Sequence, residues 1–144
     1  MNYGRLALAA VAGTIVDGLF GFAVYGNMLQ SQFGQYPGVY RPVSTNMTYM
    51  PILFSGVFLA MLAATYIYAK GFEGGSGMQE GMRFGVMLGV FAVGYSAIVG
   101  YAMTAIGHNL GIAMAVATFI EWTINGTVIG LVYKPAAGAM KAAV

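Results

Sequence analysis

The chain has 144 residues, 59% hydrophobic and only 7% charged. Six basic and four acidic side chains cannot clothe a water-soluble fold, in which about a quarter of residues carry charge, so lipid is the expected solvent for most of it. A formal charge of +2 with no block of Lys or Arg argues against nucleic acid as a partner and against a strong anionic-lipid patch, and zero cysteines exclude disulfides, thiolate catalysis and Cys-based metal centres.

Crossing about 30 Å of hydrocarbon takes roughly 20 apolar residues at 1.5 Å each. Four stretches meet that length, about 6–26, 51–69, 84–106 and 110–133. They are continuous apolar runs without the period-two alternation of a membrane β-barrel. The expectation is an all-α membrane protein, a single domain over 1–144 built as a four-transmembrane-helix up-down bundle. With four crossings, both termini and the second loop share one face. Arg5, Lys70, Arg83, Lys134 and Lys141 fall on that face and Arg41 alone on the other, which by the positive-inside rule predicts both termini cytoplasmic.

The first run follows Arg5 and includes Ala10-Val11-Ala12, which superficially suits a signal peptide and its cleavage site. The apolar stretch continues past that point to Tyr25, so a retained helix is expected. Ala9, Gly13, Asp17 and Gly21 recur every four residues and form one narrow face. Small residues of this kind let helices approach where lipid gives no hydrophobic drive to associate. The glycines need no reading beyond packing; Asp17, in the same seam, does.

The loop from Asn27 to about Tyr49 contains Gly34, Pro37, Gly38, Pro42 and the polar run Ser44–Asn46, all of which oppose regular helix. Its rings, Phe33, Tyr36, Tyr40 and Tyr49, suit the headgroup region. It is long for a helical hairpin, and it reads either as a mobile surface loop or as a cap lying across the bundle mouth or against a partner subunit. The second span is expected to start at Pro51, since proline in a first helical turn loses no hydrogen bond. Next comes GFEGGSG, which is not a phosphate loop because the GK[ST] ending is missing and no strand precedes it.

The third span carries a ridge of small residues, Gly81, Gly85, Gly89, Ala92, Ser96 and Gly100, at steps of three or four. Its partner is expected to be the fourth helix, the first helix or another protomer. The fourth span holds Glu121, Trp122 and Asn125 at its middle. Trp122 lies away from the interface position usual for tryptophan, and it reads as filling a groove between helices or contacting a pigment, quinone or partner. His108 in the outer turn has no second His or Cys to make a metal site and reads as an interfacial residue. The 11 Met residues are scattered and read as adaptable packing. No nucleophile–base pair or zinc motif appears, so no enzyme is expected.

Asp17 lies twelve residues from Arg5 and Glu121 thirteen from Lys134, which predicts similar depths for the two acids, so that on neighbouring helices the carboxyls are expected to be able to meet and share a proton. A charged acid at a helix centre costs roughly 2.5–3.5 kcal/mol on insertion scales. Protonating a Glu of ordinary pKa at pH 7 costs about 3.7 kcal/mol, a similar amount. The candidate intramembrane site is therefore Asp17, Glu121 and Asn125, working as a proton relay, a cation site or a ligand anchor, or held neutral by hydrogen bonds. Asn125 one turn from Glu121 is the nearest donor, with Thr14, Thr118 and Thr123 as helpers. Gly81, Gly85, Gly89, Ser96, Gly100 and Trp122 form the candidate helix-packing or ligand groove.

The segments EGMRFGVMLGVF and EWTINGTVIGLVYK resemble the glycine-spaced helices of small bacterial four-helix inner-membrane families of uncharacterised function. That resemblance implies the fold and a bacterial inner membrane, and no site residues. The expected function is a non-catalytic subunit within a larger membrane assembly, an electron-transfer or photosynthetic complex, with lipid, pigment or quinone along the groove. The alternative is a homo-oligomeric proton- or cation-linked transporter or channel using Asp17 and Glu121.

Overall fold

The computed structural model describes residues 1–133, the side chains at 43 and 46 excepted. Lys134 and Lys141, on which part of the orientation argument rests, lie outside the described residues. Helix α1 spans Tyr3–Ala23 and runs into a π-helical turn, Val24–Met28. A short α2 (Gln30–Phe33) follows, then α3 (Val43–Gly71), α4 (Gly77–Ala92), a π-helical stretch Val93–Ile98, α5 (Val99–Met103) and α6 (His108–Tyr133). Among the described residues no strand occurs. Four helical spans are long and apolar enough to cross a membrane: Tyr3–Met28, Met47–Gly71, Gly77–Met103 and His108–Tyr133.

The ends of these helices follow from local chemistry. Asn2 caps α1, its side-chain oxygen accepting from the Arg5 N–H at 3.1 Å, which satisfies one of the orphan donors of the first turn. Between α3 and α4 the chain turns at Gly74 with φ 91°, a conformation that favours glycine. The Glu80 carboxylate reaches back over this turn and accepts from the Gly75 N–H and, at 3.2 Å, the Glu73 N–H. The glycine-rich loop is thus tied to the start of α4.

Helix α3 begins at Val43, eight residues before the expected start at Pro51, which lies inside it. Thr45 stabilises the new first turn, its N–H and hydroxyl both donating to the Pro42 carbonyl, at 3.0 and 2.9 Å. The Arg41 guanidinium rests 3.8 Å over the Tyr49 ring. Two extra turns so anchored outweigh the one backbone hydrogen bond that Pro51 cannot make.

The packing is antiparallel between α1 and its neighbours. Against α3, Gly13 faces Met61 and Gly18 faces Phe54; against α6, Asp17 faces Asn125 and Tyr25 faces Glu121. Helices α1, α3 and α6 enclose the core, Leu6, Ala9, Ala10, Met61, Ala64, Tyr68, Ile129 and Tyr133. An aromatic cluster of Tyr68, Phe72, Phe84 and Tyr133 closes it at the end that carries the N-terminus and the α3–α4 loop. Helix α4 docks along α6, where Gly77, Gly81 and Gly85 meet Gly126, Gly130 and the Trp122 and Thr123 backbone. Helices α1, α3 and α6 supply the buried core, and α4, clasped to α6, packs Phe84 and Leu88 against it, so that the four spans form one helical bundle.

Candidate functional site

The glycine ridge shows how a sequence pattern meets its partner. A Cβ built on Gly81 would lie 2.5 Å from the Gly126 carbonyl oxygen, and one on Gly85 2.7 Å from that of Trp122. At Gly89 the nearest atom is Phe119 Cδ2, at 3.0 Å. No side chain fits at Gly81 or Gly85, so α4 and α6 approach backbone to backbone. Ser96 and Gly100 do not continue the ridge: Ser96 is exposed, and a Cβ on Gly100 would meet nothing within 4 Å. The cause is the π-helical stretch Val93–Ile98, whose wider turn shifts the helix phase so that Ala97 is buried in Ser96's stead. Of the six groove residues proposed from sequence, Gly81, Gly85, Gly89 and Trp122 come together on α6, and Ser96 and Gly100 do not. Gly77, Gly126 and Gly130 complete the seam and were not anticipated, although Gly126 and Gly130 carry their own four-residue spacing.

The polar site lies in the α1–α6 seam. Asn125, 1% exposed, donates from Nδ2 to Asp17 Oδ1 at 2.7 Å. The Tyr25 hydroxyl donates to Glu121 Oε2 at 2.9 Å. Both contacts join residues about 100 positions apart, so they exist only because α1 and α6 are antiparallel neighbours. Asp17 stands level with Asn125, one turn from Glu121, which staggers the acids by roughly 6 Å along the helix axis. The carboxyls are thus brought into one seam, each with its own neutral donor. Among the described residues the hydrogen bonds run from amide and phenol to carboxyl, none from one carboxyl to the other.

Tyr25 was not anticipated, and the reason is geometric. It sits in the π-helical turn Val24–Met28, which re-aims the side chain relative to an unbroken α-helix. The only signal was a phenol within an apolar run, eight residues after Asp17. Thr14 and Thr123, named as helpers, donate instead to the carbonyls of Ala10 and Phe119 in their own helices, both at 2.8 Å. Asn125 Oδ1 is buried and has no hydrogen-bond partner. Trp122, beside Glu121, packs against the hydrophobic core.

Above the seam, at the opposite end from the N-terminus, the first loop folds over the bundle. Phe20, Tyr25, Phe33 and Tyr40 form a continuous aromatic ladder, with Phe33 and Tyr40 centroids 4.6 Å apart. The Tyr36 hydroxyl accepts from the Gly107 N–H at 3.0 Å, and the Tyr40 hydroxyl donates to Met114 Sδ at 3.3 Å. Burial, and secondarily the Tyr36 phenol, push Tyr40 above the ordinary phenol range. The cap reading of this loop fits these contacts. His108 pairs with the Tyr101 hydroxyl at the same end, away from both acids. Comparison of the chain with protein families, with curated proteins and with solved structures finds no match.

Proposed function

We propose that the chain is a multi-pass membrane protein that takes up and passes protons at the α1–α6 seam, through Asp17, Asn125, Glu121 and Tyr25. The observation that carries this reading is an excess of acceptors. The two carboxyls and Asn125 Oδ1 present five oxygens, while the Asn125 amide and the Tyr25 hydroxyl offer three hydrogens. Protons on the acids correct the imbalance, and a proton needs no volume in a seam whose contacts are 2.7 and 2.9 Å long. The similar costs of a charged and a protonated acid in this setting, about 3–4 kcal/mol each, favour a site that both loads and unloads. Tyr25, in its π-helical turn, links the seam to the aromatic ladder beneath the cap. A metal cation is the weaker form of the same idea, since Asn125 is almost inaccessible.

In this reading the end bearing Arg5, Lys70 and Arg83 faces the cytoplasm, and the resemblance in α4 and α6 makes the membrane a bacterial inner membrane. The test is proton flux into liposomes reconstituted with the chain, driven by a potassium diffusion potential and read by a trapped pH dye. Wild type is expected to exceed empty liposomes, with the excess lost in Asp17→Asn and Glu121→Gln. Flux equal to that of empty liposomes, or unchanged in both variants, refutes the proposal.

A second reading, a non-catalytic subunit of a larger electron-transfer or photosynthetic assembly, is favoured by one feature. Gly56, Gly94 and Gly100 border open space on the outside of the helices, and Cβ atoms there would meet nothing within 4 Å. Close-packing positions without a partner in the chain suit a helix supplied by another subunit. Purification from native membranes that yields only the lone chain or its homo-oligomer removes this reading.

A further inference from the structure

Helix α4 clasps α6 and leaves a cleft toward α3 that no residue of α1 or α6 lines. At the end carrying the α3–α4 loop this cleft has a volume of about 290 Å³, with Ile67, Glu73, Glu80, Arg83, Phe84 and Met87 in its walls. It sits where both spans end, Gly71 closing one and Gly77 opening the next, which is headgroup depth for a chain that crosses the bilayer. From Gly77 to Met87 is roughly 15 Å of helix, so the same cleft reaches from headgroup level well into the acyl region. Its inner part is walled by the exposed side chains of Ile67 and Met87 and by Phe84.

The charges at its mouth select an occupant. Arg83 and Glu73 are both exposed, one a fixed cation with five donors, the other an acceptor. Glu80 also lines the cleft, but its carboxylate is engaged by the Gly75 and Glu73 N–H groups. One cation against two carboxylates gives the mouth a formal charge of −1. That sign repels a lipid of net negative charge. It suits a head that carries both an anion for Arg83 and an ammonium, with donatable hydrogens, for Glu73.

We infer that this α3–α4 cleft binds a zwitterionic phospholipid with a primary-amine headgroup, its phosphate on Arg83, its ammonium on Glu73 and an acyl chain along Ile67 and Met87. The site is independent of the proton seam and stands whether or not protons move there.

The test is retention of lipid by the full-length chain. Delipidated protein in detergent is offered equal amounts of phosphatidylethanolamine, phosphatidylcholine and phosphatidylglycerol carrying identical acyl chains, and bound lipid is read by native mass spectrometry. Wild type is expected to retain phosphatidylethanolamine at least five-fold over each of the others. Glu73→Gln should abolish the preference over phosphatidylcholine, whose quaternary head donates no hydrogen bond, while Arg83→Gln should lower retention of both zwitterions. Each substituted side chain is exposed, so both variants are expected to fold, and an unchanged helical circular dichroism spectrum checks this. Equal retention of all three lipids, preference for phosphatidylglycerol, or a selectivity unaltered by both substitutions overturns the inference.

Discussion

Asn125 holds the polar seam by a single amide: its nitrogen donates to Asp17 while its buried oxygen has no partner. Asn125→Leu keeps the side-chain volume close and strips Asp17 of its donor. The expected loss is about 1–3 kcal/mol, the usual penalty for a buried polar group left unpaired. It should show as a lower thermal midpoint followed by fluorescence of Trp122, the single tryptophan. The double variant Asp17→Leu/Asn125→Leu should recover most of that loss, because neither partner of that contact is then left unpaired; a double variant less stable than Asn125→Leu would contradict the pairing. Tyr68 and Thr65 are the opposite case. Their hydroxyls are buried without partners, at 4% and 0% residue exposure. Tyr68→Phe and Thr65→Val are expected to leave stability unchanged or to raise it by up to about 1 kcal/mol, since each removes an unsatisfied group at nearly constant shape. A loss above that size in either variant means that the hydroxyl is engaged in the membrane.

Between elements, the glycines divide into those that touch backbone and those that touch nothing, and sequence spacing alone does not separate them. Gly85→Ala places a methyl group against the Trp122 and Thr123 carbonyl oxygens, 2.7 and 2.8 Å from the Cβ position. Neither helix can yield locally, so α4 must move off α6, at a cost of about 1–3 kcal/mol or more. Gly100→Ala lies past the π-helical stretch with open space around it, and is expected to be neutral or to stabilise by about 0.5 kcal/mol through the lower entropy of the unfolded chain. Melting curves of the two variants measured side by side give the contrast; equal losses would place Gly100 in a seam after all. The four-residue rhythm from Gly81 to Gly89 was legible because an unbroken α-helix repeats its face at that spacing. Ser96 and Gly100 kept the rhythm on paper and lost it in space, since a π-helical turn adds a residue that apolar composition does not mark. Likewise Pro51 signalled a helix start, and the anchoring of Thr45 on Pro42 and Arg41 on Tyr49 moved that start to Val43.

Across the whole molecule, the capping loop joins the first and third connections through the Tyr36 hydroxyl and the Gly107 N–H. Tyr36→Phe removes that acceptor and is worth about 1 kcal/mol, which raises amide exchange of the loop roughly five-fold and leaves the four spans protected. Hydrogen-exchange mass spectrometry resolves the two regions, and equal acceleration throughout would show the loop to be integral to the fold. Raised pH acts on the same contact set. Tyr40 is favoured in its protonated form when folded, so its contribution is complete below the ordinary phenol value near 10 and is lost as pH rises above it. Exchange in the loop is therefore expected to accelerate above pH 10 beyond the intrinsic base-catalysed rise seen in the spans.

Composition and run length by themselves determined that this chain is helical and carries four segments able to cross a membrane, because apolar length and backbone self-satisfaction leave lipid few other solutions. They also placed two acids within those segments, since a charge in an apolar run is conspicuous wherever the run folds. Only the tertiary structure decided that α4 clasps α6 through paired glycines, that Asp17 meets Asn125 and Glu121 meets Tyr25, and that the cleft beside α3 stays open. Those outcomes depend on which helix faces which and on the phase of each turn. A sequence of nearly uniform hydrophobicity does not encode them by polarity, because lipid-facing and helix-facing side chains are equally apolar.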